Sequence, residues 1–374
     1  MLIIVRYAEI GLKGKNRSFF ERILVENINK KISGIVSRPR GRIIIRTEDA
    51  GAVEKLKKIF GIDSFSIAKS VKLEMPEIMQ SALEVINELS FGTFKVETQR
   101  INKQFPLKSP EISAEVGRFI EEKAGRTACM KSPDVVLRIE IFQKEAFIFT
   151  HWEKGLGGLP VGVSGRVLSL LSGGIDSPVS SLLMMKRGCS VDFVHFHNHP
   201  YVSRRSIDKV KALFTLLKQY QNGCRLYLFP LTSIQKEIVV KCPQKLRIIL
   251  YRRMMVRIAE RFCSKERYKA IISGESVGQV ASQTLDNMVV ISSAAKKLFL
   301  RPLVGMDKQE IIALAQKYGT YETSIIRHDD CCTFFAPRQA ETHACLEEIE
   351  KAEALLEIEK LVNDCAENME IIGL

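Results

Sequence analysis

Leu168-Ser169-Leu170-Leu171-Ser172-Gly173-Gly174-Ile175-Asp176-Ser177-Pro178 is the stretch on which the reading of the fold turns. A short apolar run, long enough for a buried strand, leads into a Ser-Gly-Gly-x-Asp-Ser turn. Pro178 then stands where a helix can begin. Glycines let the backbone approach a ligand closely, and a helix start presents unpaired N–H groups to an anion. Ser172 and Ser177 add hydroxyl donors. Asp176 is out of place beside phosphate unless it binds Mg²⁺ or orients the reacting group. The Gly-Lys-Ser/Thr ending of the usual P-loop is missing, so an ordinary P-loop nucleoside triphosphatase fits poorly.

Outward from this turn, apolar runs at Val167–Leu171, Val191–Phe196, Arg225–Pro230 and Ala270–Ser273 alternate with helical patterns. The helices are predicted over Pro178–Lys186, Ile207–Tyr220, Gln244–Ser264 and Lys308–Lys317. Continuous apolar strands separated by helices predict a parallel sheet covered on both faces. Asp307 followed three residues later by Glu310 reads as a capping box before Lys308.

Upstream, residues 1–70 read as the ferredoxin-like pattern βαββαβ, with five of its six elements located: strand Leu2–Ala8, helix Asn16–Lys31, strand Arg42–Thr47, helix Ala50–Phe60 and a closing strand Ser64–Val71. Residues 71–155 read as a second α+β unit. Its helices are Glu77–Leu89 and Pro110–Lys123, and its strands Thr93–Thr98, Val135–Phe142 and Ala146–Trp152. Residues 156–165 are expected to be a linker or mobile loop, because Gly155–Gly165 holds five glycines and a proline. The remainder, 166–374, is the α/β part. The whole is therefore α/β plus α+β, and 374 residues suit two or three domains of roughly 100–200 residues each.

The Ser172–Ser177 turn matches the PP-loop of ATP pyrophosphatases. With Gly158-Leu159-Pro160-Val161-Gly162, with Gly274-Glu275-Ser276-Val277-Gly278-Gln279-Val280-Ala281-Ser282-Gln283-Thr284, and with Arg6-Tyr7-Ala8-Glu9-Ile10-Gly11-Leu12-Lys13-Gly14-Lys15-Asn16-Arg17, the chain resembles the tRNA 4-thiouridine synthetase (tRNA sulfurtransferase) family over essentially its whole length. The resemblance implies an N-terminal ferredoxin-like domain (1–70), a THUMP RNA-binding domain (71–155) and a PP-loop ATP pyrophosphatase catalytic domain (166–374). It implies that Mg-ATP adenylates O4 of uridine 8 in tRNA and that a cysteine persulfide then delivers sulfur.

Position by position, the resemblance assigns ATP contacts to Leu170, Leu171, Ser172, Gly173, Gly174, Asp176, Ser177, His195, Phe196, Arg252, Gly274 and Gln283. Asp176 is also implied as important for activity, and Lys308 as stabilising phosphate charge. Several of these lie where open α/β sheets bind ligands, at strand ends and adjacent loops. Lys308 also reads as an ordinary first-turn helix residue. Arg253, Arg257 and Arg261 share one helix face, either solvated or turned to RNA. His195, His197 and His199 alternate, and adenosine contact or packing is favoured over a metal site, so no metal ligand is assigned.

Sulfur chemistry is expected in His328-Asp329-Asp330-Cys331-Cys332-Thr333, since a thiolate is the nucleophile. Cys331 matches the family's catalytic position, and Cys332 is an equally reachable neighbour. The other seven cysteines are expected to be buried apolar residues, with one of them available to resolve the disulfide left after sulfur transfer. After Pro337 one helical stretch, Ala340–Glu359, is predicted. No rhodanese domain is then expected, so a cysteine desulfurase should supply sulfur directly, and a thiamine-thiazole role is in doubt. C-x-x-C ligands are missing, so no iron–sulfur cluster is predicted.

The charge fits a polyanion. Residues 1–340 carry 54 basic and 33 acidic residues, whereas 341–374 carry 2 and 10. For tRNA, phosphate contacts should dominate affinity. Candidates are Lys13, Lys15, Arg17, Arg38, Arg40 and Arg42, then Arg100, Lys103 and Lys108, and the acidic tail should lie away from the RNA. No apolar run approaches the ~18 residues of a membrane span, and no signal peptide is evident, so a cytoplasmic protein is expected, with a homodimer as the assembly. Two alternatives remain. Another PP-loop adenylating ligase would need an ammonia route, and a non-catalytic tRNA-binding protein would predict damage to the PP-loop or loss of the cysteine.

Overall fold

The first strand, β1 (Leu2–Arg6), is apolar on both faces and takes the centre of an antiparallel sheet. The computed structural model describes residues 1–39, 41–201, 203–327, 335 and 340–373. Two units result, Met1–Gly158 and Leu159–Leu374.

In the first unit, β1 is followed by α1 (Arg17–Asn29), β2 (Ile35–Ser37), β3 (Ile43–Arg46), α2 (Ala52–Leu56) and β4 (Ser64–Ile67). Next come β5 (Lys69–Val71), α3 (Met75–Asn87), β6 (Thr93–Arg100), α4 (Ser109–Ala124), β7 (Thr127–Ala128), β8 (Val135–Ile141), β9 (Ala146–Phe149) and β10 (Glu153–Lys154). They form two five-stranded sheets, ordered β10-β4-β1-β3-β2 and β5-β9-β8-β6-β7. The closing strand predicted over Ser64–Val71 is in fact two strands: β4 pairs with β1 in one sheet, and β5 pairs with β9 in the other. Alternation alone cannot show that a strand changes sheets at Ala68.

The two sheets share an apolar seam of Ile4, Ile44, Phe142, Phe147 and Phe149. A buried ion pair lies in the same unit. Glu140 on β8 accepts from Arg6 Nη2 at 2.9 Å and from Arg42 Nε at 3.0 Å.

In the second unit the elements are β11 (Arg166–Leu170), α5 (Asp176–Lys186), β12 (Ser190–His197), α6 (Arg205–Lys218), β13 (Leu226–Pro230), α7 (Thr232–Lys241), α8 (Arg247–Glu266) and β14 (Ala270–Ile272). They continue through α9 (Leu285–Ser292), β15 (Leu298–Leu300), α10 (Lys308–Lys317), α11 (Tyr321–Ser324), α12 (Leu346–Glu353), α13 (Ile358–Glu367) and β16 (Glu370–Ile372). The sheet order is β15-β14-β11-β12-β13-β16, parallel except for β16, which runs antiparallel on β13. The strand order departs in both directions from β11, and such a switch point is where open α/β sheets bind ligands.

Three readings are corrected. The glycine-rich segment is not loose: Gly155 and Gly157 donate to Asp63 and Ile62 carbonyls, both at 2.7 Å, while Leu159 and Gly162 donate to Lys186 and Gly188, both at 2.9 Å. A Cβ on Gly155 would lie 2.3 Å from the Ile62 carbonyl oxygen, so glycine is required there by close backbone approach. The helix expected over Ala340–Glu359 is two helices, α12 and α13, followed by a strand.

The arginine stripe on α8 meets neither solvent alone nor an open RNA face. Arg253 is 2% exposed and forms a bidentate pair with Glu353, with two N–H···O distances of 2.8 Å; Arg257 reaches the same carboxylate at 2.8 Å and Arg261 reaches Glu359 at 2.9 Å. The acidic C-terminal helices are thus docked on the basic helix.

Candidate functional site

The Ser172–Ser177 turn closes on itself through hydroxyl groups. The Ser172 N–H donates to Ser177 Oγ at 2.8 Å, and the Gly174 N–H donates to Ser172 Oγ at 3.2 Å. The helix begins at Asp176, so Pro178 falls in its first turn rather than at its start. Beside it, Gly274, just after β14, approaches the start of α5 so closely that an added Cβ would sit 2.7 Å from the Ser177 nitrogen. Any side chain there would push the β14 loop off the start of α5.

These loops enclose a cavity of about 360 Å³ that also takes residues from β12, α8 and β15. Leu170, Leu171, Ser172, Gly174, Asp176, Ser177, His195, Phe196, Arg252, Gly274 and Gln283 all line it, whereas Gly173 is buried and does not. His195 Nδ1 lies 2.9 Å from the Leu171 carbonyl oxygen. A carbonyl only accepts, so Nδ1 carries a proton. His197 is different: burial, then the neighbouring His199, hold it below the ordinary histidine value despite Glu370. The His199 N–H donates to its Nδ1 at 3.3 Å. Among the described residues no three His, Cys, Asp or Glu side chains gather as a metal-holding group.

Asp176 is the pivot. Its Oδ1 accepts from Lys308 Nζ at 2.6 Å and its Oδ2 accepts from Gln279 Nε2 at 2.9 Å. Lys308 is aimed by the capping box at the start of α10. There Glu310 N–H donates to Asp307 Oδ1 and Asp307 N–H to Glu310 Oε2, both at 2.9 Å. A carboxylate, an ammonium and a carboxamide therefore meet where a helix N-terminus opens into the cavity.

Several cavity residues were not singled out from the sequence. Met255 and Val256 follow Arg252 at i+3 and i+4, a spacing that could have placed all three on one face. Gln279 and Glu275 lie inside the Gly274–Thr284 motif, which marks the loop but not their contacts. Glu275, 5% exposed, accepts from Arg252 Nη1 at 2.7 Å, Arg301 Nε at 2.6 Å and Ser273 Oγ at 3.0 Å. Phe299, which lines the cavity, and Arg301, whose guanidinium lies 4.3 Å from the Phe299 ring centre, had no sequence signal.

Cys331 and Cys332 lie outside the described residues. Of the other cysteines, Cys189, Cys224, Cys242, Cys263 and Cys365 are buried, Cys129 is half-buried and Cys345 is exposed. Burial pushes the thiol of Cys224 up to about 11 and those of Cys263 and Cys365 up to about 12. Such thiols are poor nucleophiles at neutral pH.

Among the basic candidates of the first unit, Arg40 lies outside the described residues. Lys13 pairs with Glu9 at 3.3 Å and Arg17 with Glu21 at 2.7 Å, while Arg38 donates to the Ser18 carbonyl at 3.1 Å. Arg42 is committed to Glu140 and Gln99, and Arg100 donates to the Phe105 and Leu107 carbonyls at 2.8 and 2.7 Å. Both have protein partners. Lys15, Lys103 and Lys108 are exposed.

Comparison with known proteins extends over the whole chain. Family models described as "ThiI ferredoxin-like domain", "THUMP domain" and "Thiamine biosynthesis protein (ThiI)" match residues 2–66, 72–151 and 162–358. A protein of Caldanaerobacter subterraneus subsp. tengcongensis named "Probable tRNA sulfurtransferase" is 43% identical over 375 residues, covering 98% of each chain. A Moorella thermoacetica protein of the same name is 43% identical over 377 residues, covering 99% of this chain and 97% of its own. A 4-thiouridine synthetase solved in complex with RNA and with bound ATP is 37% identical, with a TM-score of 0.94 over 100% of this chain and 99% of that one. A solved protein from Pyrococcus horikoshii Ot3 is 28% identical, with a TM-score of 0.69 over 85% of this chain and 99% of that one.

Proposed function

The chain belongs to the tRNA sulfurtransferase (ThiI) family of enzymes, and from that premise we propose that it converts uridine 8 of tRNA to 4-thiouridine in two steps at the cavity above β11. The observation that carries this reading is the Asp176 carboxylate, held between Lys308 and Gln279 at the mouth of a nucleotide-sized cavity. Adenosine would lie against His195, Phe196 and Arg252. The phosphates would meet Ser172, Ser177 and the start of α5. One carboxylate beside phosphates suits Mg²⁺, which takes one or two protein carboxylates plus phosphate oxygens. Asp176 would hold that ion, which would neutralise phosphate charge.

In the first step, O4 of the uridine attacks the α-phosphorus, the bond to the β-phosphate oxygen breaks, and pyrophosphate leaves. Lys308 stabilises the charge that develops on the phosphate oxygens. In the second step, the terminal sulfur of a Cys331 persulfide attacks C4 and AMP leaves. A second thiol then attacks Cys331 Sγ, releasing 4-thiouridine and leaving a protein disulfide that an external thiol reduces. Among the described thiols of the second unit Cys345 alone is exposed, which makes it the candidate resolving partner.

On the same reading, phosphate contacts from Lys13, Lys15, Arg17, Arg38, Lys103 and Lys108 hold the tRNA. A cysteine desulfurase supplies the sulfur, and the enzyme works in the cytoplasm as a homodimer. The test is incubation with unmodified tRNA, Mg-ATP, cysteine desulfurase and cysteine. Absorbance of 4-thiouridine is expected from the wild type and lost in Asp176→Ala and Cys331→Ser. Activity kept in Cys331→Ser but lost in Cys332→Ser would move the nucleophile, and no thiolation of any tRNA would overturn the reading.

A further inference from the structure

The stretch that carries Cys331 and Cys332 is flanked by chain held by side chains outside the nucleotide cavity. Upstream, Lys209 of α6 is 6% exposed, and its Nζ donates to the carbonyls of Ser324 at 2.7 Å and Ile326 at 2.6 Å. Ile326 lies five residues before Cys331 in sequence. A buried ammonium is costly unless oxygens surround it, and these two carbonyls come from the end of α11 and the chain just after it.

Downstream, Asn287 is fully buried and engages both ends of its carboxamide. Nδ2 donates to the carbonyls of Ala281 and Glu341, both at 2.8 Å, and Oδ1 accepts the Ala344 N–H at 3.0 Å. Thr284 adds a hydroxyl donated to the Thr342 carbonyl at 2.7 Å.

Ala281 and Thr284 belong to the same loop as Gly274, Glu275, Gln279 and Gln283, which line the cavity. Asn287 therefore ties the nucleotide-binding loop to the chain that leaves the cysteine stretch. An asparagine inside a helix usually turns to solvent or competes with the local backbone. This one spends its donors and acceptor on two loops.

We propose that Lys209, Thr284 and Asn287 are positioning residues for sulfur transfer, fixing both roots of the cysteine-bearing stretch against the nucleotide loop. The proposal rests on the thiolation reading above. Its physical basis is proximity. Each residue released at a root adds up to about 3.5 Å of reach and dilutes the attacking sulfur around the adenylated base. A misplacement of about 1 Å can cost ~10²-fold in rate. Adenylation, carried by the cavity itself, does not need the cysteine stretch in place.

The experiment reads both steps in one sample of full-length protein with tRNA, Mg-ATP and a persulfide source: tRNA-dependent pyrophosphate release for adenylation and 4-thiouridine absorbance for sulfur transfer. Thr284→Val, Lys209→Met and Asn287→Leu remove the polar pins at nearly constant volume. In Lys209→Met, outside the nucleotide loop, thiolation is expected to fall on the order of 10²-fold with pyrophosphate release within about twofold of wild type; in Thr284→Val and Asn287→Leu, whose side chains also hold that loop, thiolation is expected to fall about tenfold or more beyond any fall in pyrophosphate release. Thr284→Ser, which keeps the hydroxyl, is expected to restore thiolation. Thr284 is only half-buried, so its variants guard against simple loss of folding. Both steps falling in equal proportion, or thiolation unchanged in Thr284→Val and Lys209→Met, would overturn the proposal. Failure of the wild type to thiolate would instead overturn the parent reading and the proposal with it.

Discussion

Arg252 and Arg253 are neighbours on α8, and each binds a buried glutamate that also holds a second arginine. Arg252 and Arg301 share Glu275, whereas Arg253 and Arg257 share Glu353. The chemistry is the same and the surroundings are not. Arg253 is sealed at 2% side-chain exposure, with further bonds to the Val290 carbonyl and Ser293 Oγ, so its three partners tie α12, α8 and α9 together. Arg252 is 26% exposed on a cavity wall. A sealed pair can only hold structure. A pair with one partner on a cavity can hold a side chain ready for a ligand.

The largest break in this comparison is Glu353→Ala. It leaves Arg253 buried without its counter-charge, and removing one member of a buried pair typically costs ~3–5 kcal/mol. Denaturant unfolding should show that loss, with α12 and α13 detaching first in hydrogen exchange. Glu275→Gln is the matched test on the cavity side. Its arginines can turn partly to water, so the stability loss should be smaller than for Glu353→Ala. ATP binding by calorimetry should weaken by the value of a charged hydrogen bond, ~1.5–3 kcal/mol, or roughly 10–100-fold. Equal stability losses in the two variants would erase the distinction.

The sequence displayed both halves of the sealed contact without their relation. The i, i+4 spacing of Arg253, Arg257 and Arg261 says that they share a face, but not what covers it. The acidic excess of residues 341–374 was equally plain. What joins them is a pairing across 100 residues of chain, and a tail read as lying apart from the RNA is an internal brace. Local patterns served well where local physics decides, in the Leu168–Pro178 strand and turn and the capping box before Lys308, whereas the positions at the ends of β11 and β12 and after β14 that line the cavity came from the family resemblance. They failed where a buried polar group chooses a distant partner. Nothing adjacent to Glu275, Gln279, Asn287 or Lys209 announces an arginine, an aspartate or a loop carbonyl.

A smaller effect follows from titration of the sealed pair. Burial alone would raise Glu353, but the hydrogen bonds and charges of Arg253 and Arg257 outweigh it and hold the carboxyl below its ordinary 4.5. A group with a depressed folded-state value contributes stability that is complete above the unfolded value and lost as pH falls through the folded one. The stability difference between wild type and Glu353→Gln should thus stay constant from neutral pH down to about 5 and shrink below it. A difference that grows on acidification would mean that the carboxyl is protonated in the folded protein.

The smallest effect belongs to the outer end of the same arginine row. Arg261 meets Glu359 at 2.9 Å, a distance like those at Glu353, yet the side chains are 49% and 85% exposed. Water already solvates both charges, and two long side chains must be ordered to keep the contact, so such a pair is worth ~0–1 kcal/mol and weakens with salt. Arg261→Ala should therefore lower the unfolding midpoint barely measurably, and even less at high ionic strength. Arg257, which shares the sealed carboxylate, should fall between the two. That gradient along one helix face, at nearly constant distance, separates burial from contact as the source of the brace's strength. A large loss in Arg261→Ala that disappears at high salt would show that α13 is held by its charges rather than by the apolar packing of Val362 and Cys365.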